Sequence, residues 1–177
     1  YQSIYNLDKH KIVLLFAGNA IKRKGLDILT EALKNLKKNE LKEIFLLVCS
    51  DGPEINKAIA EMENLNIPDR SYKILNKVNQ IDLNIFYNLA TAFIFPSRDE
   101  PLGLVGIESI AAGTPVIGSN IGGIKEYINE NNGFLFNPNK PDELTKIIRG
   151  IIKNPKKIDL ISSNIDKKKS EHDIKVA

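Results

Sequence analysis

The sequence predicts an α/β fold: a doubly wound, parallel, six-stranded Rossmann-like sheet with helices on both faces. Six short apolar runs, typical of strands buried on both faces, alternate with amphipathic segments of helical period. The connections between the runs are long enough for right-handed crossovers, and no internal repeat or low-complexity segment interrupts them. Alternation of this kind indicates parallel strands joined by helices.

The six predicted strands are short, and their expected order places two loops opposite each other. The strands are residues 11–17, 44–49, 72–75, 93–96, 115–117 and 133–136. The first, KIVLLFA, is a continuous apolar run, and the third is the weakest. In the common order 3-2-1-4-5-6, the reversal falls between the first and fourth strands. The loops that follow these strands, residues 18–25 and 96–103, would then face each other across a crevice.

The predicted helices are recognised by apolar residues at helical spacing. In chain order these positions are Leu26, Leu29, Leu33 and Leu36; Ile55, Ile59 and Met62; Leu83, Phe86, Tyr87 and Ala90; Leu104, Ile107 and Ala111; and Leu144, Ile147, Ile148, Ile151 and Ile152. The helix through residues 104–111 is predicted to end at Gly113 in a left-handed cap. A last helix is expected from Pro155 to about Ile165.

At 177 residues the chain fits one domain. We expect a connector at residues 1–10, a Rossmann-like domain at 11–165 and a charged tail at 166–177. The chain begins with Tyr-Gln-Ser rather than methionine, which suggests a segment of a longer protein. A hydrophobic fraction of 42% and a charged fraction of 27% indicate a globular protein. No apolar run reaches the roughly 20 residues of a spanning helix, so a cytoplasmic location is expected.

The composition gives little basis for several kinds of site. The single Cys49 excludes an internal disulfide and, at the end of an apolar run, predicts a buried and inert thiol. Neither His10 nor His172 is near another candidate ligand, so neither a metal site nor a His-based triad is indicated. The net charge of +3 comes from lysines mixed with acids, and no nucleic-acid partner is indicated.

Two common nucleotide-binding motifs are absent from the sequence. The turn after the first strand reads Gly-Asn-Ala-Ile-Lys-Arg from Gly18 onward, not G-x-G-x-x-G. Asp51 could mimic the ribose-binding acid of a dinucleotide fold, but alone it is weak support. Nothing reads G-x-x-x-x-G-K-[ST] either. The sequence therefore does not predict a dinucleotide or Walker-type site.

The stretch from residue 93 to 123 carries the strongest candidate site. Two strand-to-helix turns in it lie at one edge of the predicted sheet, where helix N-termini favour an anionic ligand. Glu100 and Glu108 are eight positions apart and could hold hydroxyl groups on different parts of one ligand. Alternatively, each is an ordinary solvated acid.

Arg23 and Lys24, in the turn after the first strand, would lie opposite the helix N-terminus at Gly103. Two cations on one wall and backbone N–H groups on the other would form a diphosphate clamp. A lysine-rich surface loop is the alternative, because lysine is common throughout this chain.

Five short motifs follow one another through the predicted domain. They are Gly18…Lys24-Gly25, Ser50-Asp51-Gly52-Pro53-Glu54, Pro96-Ser97-x-x-Glu100-Pro101-Leu102-Gly103-Leu104-Val105-x-x-Glu108, Ala112-Gly113-x-Pro115-Val116 and Gly122-Gly123-x-x-Glu126. In type and order they resemble the C-terminal half of the retaining glycosyltransferases of family 4, which have the GT-B fold. The resemblance covers residues 12–152.

In that family the C-terminal domain binds the nucleotide-sugar donor. The resemblance implies that Lys24 and a nearby arginine hold the diphosphate. It also implies that Glu100 contacts hydroxyls of the transferred sugar and that Glu108 takes the ribose hydroxyls. The family usually has arginine directly after the first glycine, where this chain has Asn19. Arg23 is the candidate substitute, which makes Glu100, Arg23 and Lys24 the predicted catalytic residues.

The resemblance implies backbone contacts as well. Gly103, Leu104 and Val105 would present N–H groups to the sugar and phosphate, and the backbone near Lys77 and Val78 would meet the base. Three further residues, Gly18, Asn19 and Leu102, complete the predicted substrate-binding set.

The implied activity is transfer of a hexose from a UDP-, GDP- or ADP-sugar to a glycan or lipid-linked acceptor, in polysaccharide biosynthesis, without a metal or other cofactor. The acceptor would bind a missing N-terminal domain, so this chain alone should bind donor without transferring sugar. The full-length protein could also attach peripherally to a membrane. Two alternatives stay open: a nucleotide-sugar epimerase of the same fold, and a non-catalytic nucleotide-sugar-binding domain.

Overall fold

A parallel sheet of six strands forms the centre of the structure, a computed structural model that describes residues 12–65 and 71–176, with side chains up to residue 166. The strands are β1 (Ile12–Ala17), β2 (Ile44–Cys49), β3 (Tyr72–Leu75), β4 (Ala92–Phe95), β5 (Val116–Ser119) and β6 (Gly133–Phe136). Their order is β3-β2-β1-β4-β5-β6, and the five pairings are parallel. The predicted fold class and strand order are therefore confirmed.

Helices follow the strands along the described part of the chain. They are α1 (Leu26–Lys34), α2 (Lys38–Lys42), α3 (Ile55–Asn64), α4 (Gln80–Leu89), α5 (Leu104–Ala111), α6 (Ile124–Tyr127), α7 (Pro141–Lys153) and α8 (Pro155–Val176). A single 3-10 turn at Lys22–Lys24 precedes α1. In the described ranges, no helix is long and apolar enough to cross a membrane.

The side chains of the central strands alternate between two apolar cores, one on each face of the sheet. Leu14 and Phe16 of β1 belong to the core that α1, α3, α7 and α8 complete. Val13 and Leu15 belong to the core that α4, α5 and α6 complete. Burial of each such side chain contributes roughly 1.5–3 kcal/mol. The two cores hold helices against both faces, as a doubly wound sheet requires.

The strand order reverses between β1 and β4, which pair through Leu14 and Leu15 of β1. Directly beyond these strands, the loop at residues 18–25 packs on the loop at residues 96–103. Gly25 makes this contact possible: its φ is +72°, and a Cβ there would lie 2.0 Å from the carbonyl oxygen of Pro96. A residue with a side chain would push the two loops apart.

The predicted apolar face of α5 is wrong. Leu104 is 63% exposed and Ile107 is 38% exposed, and Ala111 is exposed too, whereas the helix buries Gly106 and Ser109. The reason is close packing of the α5 backbone: a Cβ on Gly106 would lie 2.3 Å from the hydroxyl oxygen of Tyr127. Small residues therefore form the packed face of α5, and its large apolar side chains lie on the surface.

Some element ends also differ from the predicted bounds. The helix α8 continues to Val176 instead of ending near Ile165, because no glycine or proline follows Pro155 to stop it. Pro96 and Pro115 lie outside β4 and β5, since proline has no N–H for a strand ladder. The connector at residues 1–10 lies outside the described residues, and the domain and tail boundaries stay predictions.

Candidate functional site

Two helix N-termini point toward the crevice between the loops that follow β1 and β4. The helix α1 begins after Gly25, and α5 begins after Gly103. Both glycines have positive φ, +72° and +78°, which lets the chain turn sharply from loop to helix. The first N–H groups of a helix have no partner within it and carry partial positive charge. The crevice is therefore suited to an anionic group.

Lys24 and Glu100 are in direct contact across this crevice. The Lys24 ammonium nitrogen lies 2.5 Å from Glu100 Oε2, with side-chain exposures of 20% and 10%. The same nitrogen lies 5.8 Å from the centre of the Phe95 ring, within range of a cation–π interaction. The structure thus brings together two of the three residues predicted to be catalytic.

Arg23, the third residue, stands in the same turn with an exposed side chain. Its Nη1 donates a long hydrogen bond of 3.3 Å to the carbonyl oxygen of Asp99, and its own carbonyl accepts from the N–H of Arg98 at 2.8 Å. Arg23 therefore lies beside the loop that carries Glu100 and keeps most of its donors for other partners.

Arg98 and Asp27 form a bidentate ion pair that was not predicted from the sequence. Nη1 donates to Oδ1 at 2.7 Å and Nη2 donates to Oδ2 at 2.9 Å, while Nη1 also donates to the carbonyl of Lys22 at 2.8 Å. The Lys22 ammonium contacts Asp27 as well. Partial burial alone would raise the pKa of Asp27, but the hydrogen bonds and charges of Arg98 and Lys22 lower it to about 2.

Glu108 receives a hydrogen bond from a buried tyrosine on the neighbouring helix α4. The Tyr87 hydroxyl donates to Glu108 Oε2 at 3.3 Å, and Tyr87 is 1% exposed. Burial, and then the charge of Glu108, raise the pKa of Tyr87, so the hydroxyl keeps its proton. The Thr114 hydroxyl donates to the Tyr87 carbonyl at 2.5 Å and fixes that end of α4. The sequence had indicated only a packing role for Tyr87.

The glycine pair after β5 supports the backbone beside Glu100. The N–H of Gly123 donates to the carbonyl of Glu100 at 3.2 Å, and a Cβ on Gly122 would lie 2.3 Å from that oxygen. Tyr127 donates from its hydroxyl to the carbonyl of Gly103 at 3.1 Å. Burial and the charge of Glu100 raise the pKa of Tyr127 to about 12. Both contacts hold the turn that leads into α5.

Gly18 and Asn19 follow β1 directly and lie at the predicted edge of the sheet. Gly18 is held by Ser50, whose hydroxyl donates to its carbonyl at 2.5 Å, and by a bond from its N–H to the carbonyl of Cys49 at 3.1 Å. Asn19 is exposed, and its Oδ1 packs so closely on Gly52 that a Cβ there would lie 2.2 Å away. Position 19, where the resemblance implies an arginine, thus carries an asparagine side chain that packs on a neighbouring loop.

The remaining predicted residues lie in two places. Lys77 and Val78 follow β3, two strands away from β1, and Lys77 has a φ of +52°, which is uncommon for a residue with a side chain. Val78 packs in the same core as Tyr87, the partner of Glu108. Leu102 is 50% exposed and, with Leu104 and Val105, flanks the start of α5.

The structure also bears on thiol chemistry and on metal binding. Burial raises the pKa of the Cys49 thiol to about 12, as the predicted inert role requires. In the part of the chain that the structure describes, no group of three or more His, Cys, Asp or Glu side chains could hold a metal ion.

The sequence matches a protein-family model. The model described as "Glycosyl transferases group 1" matches residues 1–168. An uncharacterised glycosyltransferase of Methanocaldococcus jannaschii is 30% identical over 143 residues, covering 79% of this chain and 38% of that protein. D-inositol 3-phosphate glycosyltransferase 1 of Catenulispora acidiphila is 31% identical over 155 residues, covering 82% and 37%. The chain thus spans well under half of the length of these relatives.

A solved structure has the same fold. The crystal structure of Anabaena HepE in complex with UDP-glucose superposes with a TM-score of 0.81 at 23% identity, over 96% of this chain and 46% of that chain. At this identity the likeness concerns the fold alone, and it covers the described sheet with its helices.

Proposed function

Because the chain belongs to the glycosyl transferases of group 1, with the Rossmann-like fold of the GT-B type, we propose that it is the donor-binding domain of a retaining glycosyltransferase of family 4. The proposed reaction transfers a hexose from a nucleoside-diphosphate sugar to a glycan or lipid-linked acceptor. The observation that carries this proposal is the contact between Lys24 and Glu100 beside the N-terminus of α5. It places a cation, a carboxylate and a helix end at one point.

The diphosphate of the donor is assigned to the crevice between the two loops. The Lys24 ammonium and the exposed Arg23 guanidinium supply positive charge from the β1 side. The first N–H groups of α5, at Leu104 and Val105, supply donors from the β4 side. Charge-assisted hydrogen bonds to phosphate are about twice as strong as neutral ones. Cations on one side of the crevice and N–H donors on the other therefore favour a dianionic ligand.

The two glutamates are assigned to hydroxyl groups at either side of the diphosphate. Glu100, 8% exposed beside Lys24, would accept hydrogen bonds from the transferred sugar. Glu108, oriented by Tyr87, would accept from the ribose hydroxyls. The backbone at Lys77 and Val78 would meet the base, while Gly18, Asn19 and Leu102 would line the crevice.

Charge explains how these groups would promote transfer. Breaking the bond at the anomeric carbon leaves negative charge on the nucleoside diphosphate, and preorganised donors stabilise that charge as it grows. Losing one such group costs on the order of 10²-fold in rate, roughly 3 kcal/mol. Arg23, Lys24 and the α5 N-terminus would supply this stabilisation without a metal ion.

Acceptor binding is assigned to a further domain of the full-length protein. The chain spans 38% of the Methanocaldococcus jannaschii relative. We expect this chain to bind nucleotide sugar without transferring the sugar. UDP is the first nucleotide to test, because the HepE structures contain UDP and UDP-glucose.

Calorimetric titration of the chain with UDP, GDP and ADP, and with their hexose conjugates, tests the proposal. Saturable binding of one nucleotide, weakened by Lys24→Ala and by Glu108→Ala but unchanged by Lys146→Ala on the exposed face of α7, is expected. No binding by a folded chain would contradict the donor-site assignment. Product analysis with the full-length protein separates transfer from epimerisation, since an epimerase would return a changed nucleotide sugar without any acceptor.

A further inference from the structure

One arginine ties together the two loops that meet at the reversal of the sheet. From the loop after β4, the Arg98 guanidinium reaches Asp27 in the first turn of α1 and the carbonyl of Lys22 in the 3-10 turn. The Arg98 N–H also donates to the carbonyl of Arg23 at 2.8 Å. We call this pair, Arg98 with Asp27, the Arg98–Asp27 latch.

We propose that Arg98 and Asp27 are positioning residues that set the placement of Lys24 and Glu100. The proposal rests on the function proposed above for the crevice. It concerns two residues to which the predicted donor site assigns no role. It also assigns a role to the ion pair that joins the loop after β4 to α1.

The position of the latch in the chain supports this role. Arg98 is two residues before Glu100, and Lys22, whose carbonyl it holds, is two residues before Lys24. One planar group therefore fixes a point close to each partner of the Lys24–Glu100 contact. A guanidinium holds its donors in a rigid fork, so it specifies both distance and angle between the loops.

Arg98 also lies at a second cavity. It lines this cavity, of about 380 Å³, together with residues of α1, α3 and the start of α7, including Ile28, Lys57 and Pro141. Its Nη1 and Nη2 donate to Asp27 and to the Lys22 carbonyl. We therefore expect Arg98 to affect a donor nucleotide through the backbone of the two loops.

A second ion pair of the same kind provides a matched control. Arg149 Nε donates to Glu40 Oε1 at 2.8 Å, and Nη2 donates to Glu40 Oε2 at 3.3 Å and to the carbonyl of Asn35 at 2.8 Å. This pair also joins a carboxylate and a backbone carbonyl to one guanidinium, but it ties α7 to α2 and the end of α1. It lies away from both loops.

The first experiment measures amide hydrogen exchange in the chain without nucleotide. In Arg98→Lys, which keeps the charge but loses the fork, the amides of Lys24 and Arg98 should exchange at least tenfold faster than in the wild type. In Arg149→Lys they should be unchanged. Equal exchange in Arg98→Lys and wild type would overturn the proposal, whatever the chain binds.

The second experiment measures calorimetric affinities for UDP, GDP and ADP and for the matching monophosphates. For the nucleotide that binds, Arg98→Gln and Asp27→Asn should weaken the affinity for the diphosphate at least tenfold and that for the monophosphate less than threefold. The reason is that Lys24 is proposed to bind the diphosphate. The diphosphate affinity of Arg98→Lys should lie between those of Arg98→Gln and wild type. Arg149→Gln should keep the wild-type ratio of diphosphate to monophosphate affinity.

Two outcomes separate the latch from the proposed function. A wild-type diphosphate-to-monophosphate ratio in both Arg98→Gln and Asp27→Asn would overturn the latch and leave the donor site standing. Failure of the wild-type chain to bind any of the three diphosphates, together with faster exchange in Arg98→Lys, would contradict the donor site while the link between the loops holds.

Discussion

Lys24 and Glu100 are 76 positions apart in the chain, yet their side chains share a hydrogen bond of 2.5 Å. Each is polar and mostly buried, so each depends on the other for a partner. A donor that enters the crevice would offer phosphate oxygens to Lys24 and hydroxyls to Glu100. Donor binding would therefore replace the contact between Lys24 and Glu100 by contacts of each residue with the donor.

Substitution of Glu100 separates its contact with Lys24 from its proposed contact with the transferred sugar. In Glu100→Gln the Lys24 ammonium loses its carboxylate partner, so we expect UDP to bind at least as tightly as in wild type. UDP-glucose should lose about 1.5–3 kcal/mol relative to UDP, because a charged hydrogen-bond acceptor for the sugar is gone. Calorimetric titration of both ligands checks this. A loss of UDP affinity equal to that of UDP-glucose would contradict the assigned role of Glu100.

Tyr87 should affect binding only through Glu108. In Tyr87→Phe the hydroxyl that orients Glu108 is lost, and we expect nucleotide affinity to fall by about 1 kcal/mol. The effect should disappear in a Glu108→Ala background. Tyr72→Phe on β3 is the control, with no expected change. If Tyr87→Phe weakens binding equally in both backgrounds, Tyr87 does not act through Glu108.

The helix α5 is the element that brings the site together, because its first turn lies beside Lys24 and Glu100 and its second carries Glu108. The helix can start here only because of glycine. Gly103 has a φ of +78°, and a Cβ would lie 2.5 Å from the Phe95 ring. The element is therefore positioned by backbone packing, while its large apolar side chains stay exposed.

Two glycine substitutions test this packing. Gly103→Ala should lower the free energy of unfolding by about 2 kcal/mol, from the left-handed conformation and the contact with Phe95. Gly150→Ala is the matched control: it lies inside α7 with open space around it, so the same change should stabilise the chain by about 0.5–1 kcal/mol. Denaturant unfolding measures both. If Gly103→Ala did not lower the free energy of unfolding relative to Gly150→Ala, the close packing of α5 would be contradicted.

The strands, their order and most helices could be predicted, because apolar runs and helical periodicity record which faces are buried. The orientation of α5 could not, since Leu104, Ile107 and Ala111 have the correct spacing but the decisive contact is that of Gly106 with Tyr127. The contact between Lys24 and Glu100 followed from topology. The ion pair of Arg98 with Asp27 did not, because nothing local relates side chains 71 positions apart.

Across the whole molecule, ion pairs join elements that are distant in the chain: Arg98 with Asp27 links the loop after β4 to α1, and Arg149 with Glu40 links α7 to α2. Such partly exposed pairs contribute modestly to stability, of the order of 1 kcal/mol or less. We expect their larger effect to be on the relative positions of the elements they join. The two cores, one on each face of the sheet, already hold the sheet and helices together.

The dependence of stability on pH should reveal the Asp27 pair. The pKa of Asp27 is lowered from 3.8 to about 2 in the folded chain. Its contribution to the free energy of unfolding is therefore fully present above 3.8, the pKa of the unfolded chain. That contribution is lost as the pH falls from 3.8 through about 2. We expect wild type to exceed Asp27→Asn by about 1 kcal/mol at pH 6 and the difference to shrink below pH 4. Urea unfolding at several pH values measures it. A difference that is constant down to pH 2 would contradict this assignment.

We propose that one crevice, between the loops after β1 and β4, receives a nucleotide sugar. A crystal structure of the chain with the nucleotide sugar selected by titration tests it most directly. We expect diphosphate oxygens about 2.7–3.2 Å from Lys24 Nζ and from the first N–H groups of α5, with ribose hydroxyls at Glu108. A nucleotide bound elsewhere, with the Lys24 ammonium still paired with Glu100, would contradict the donor-site assignment.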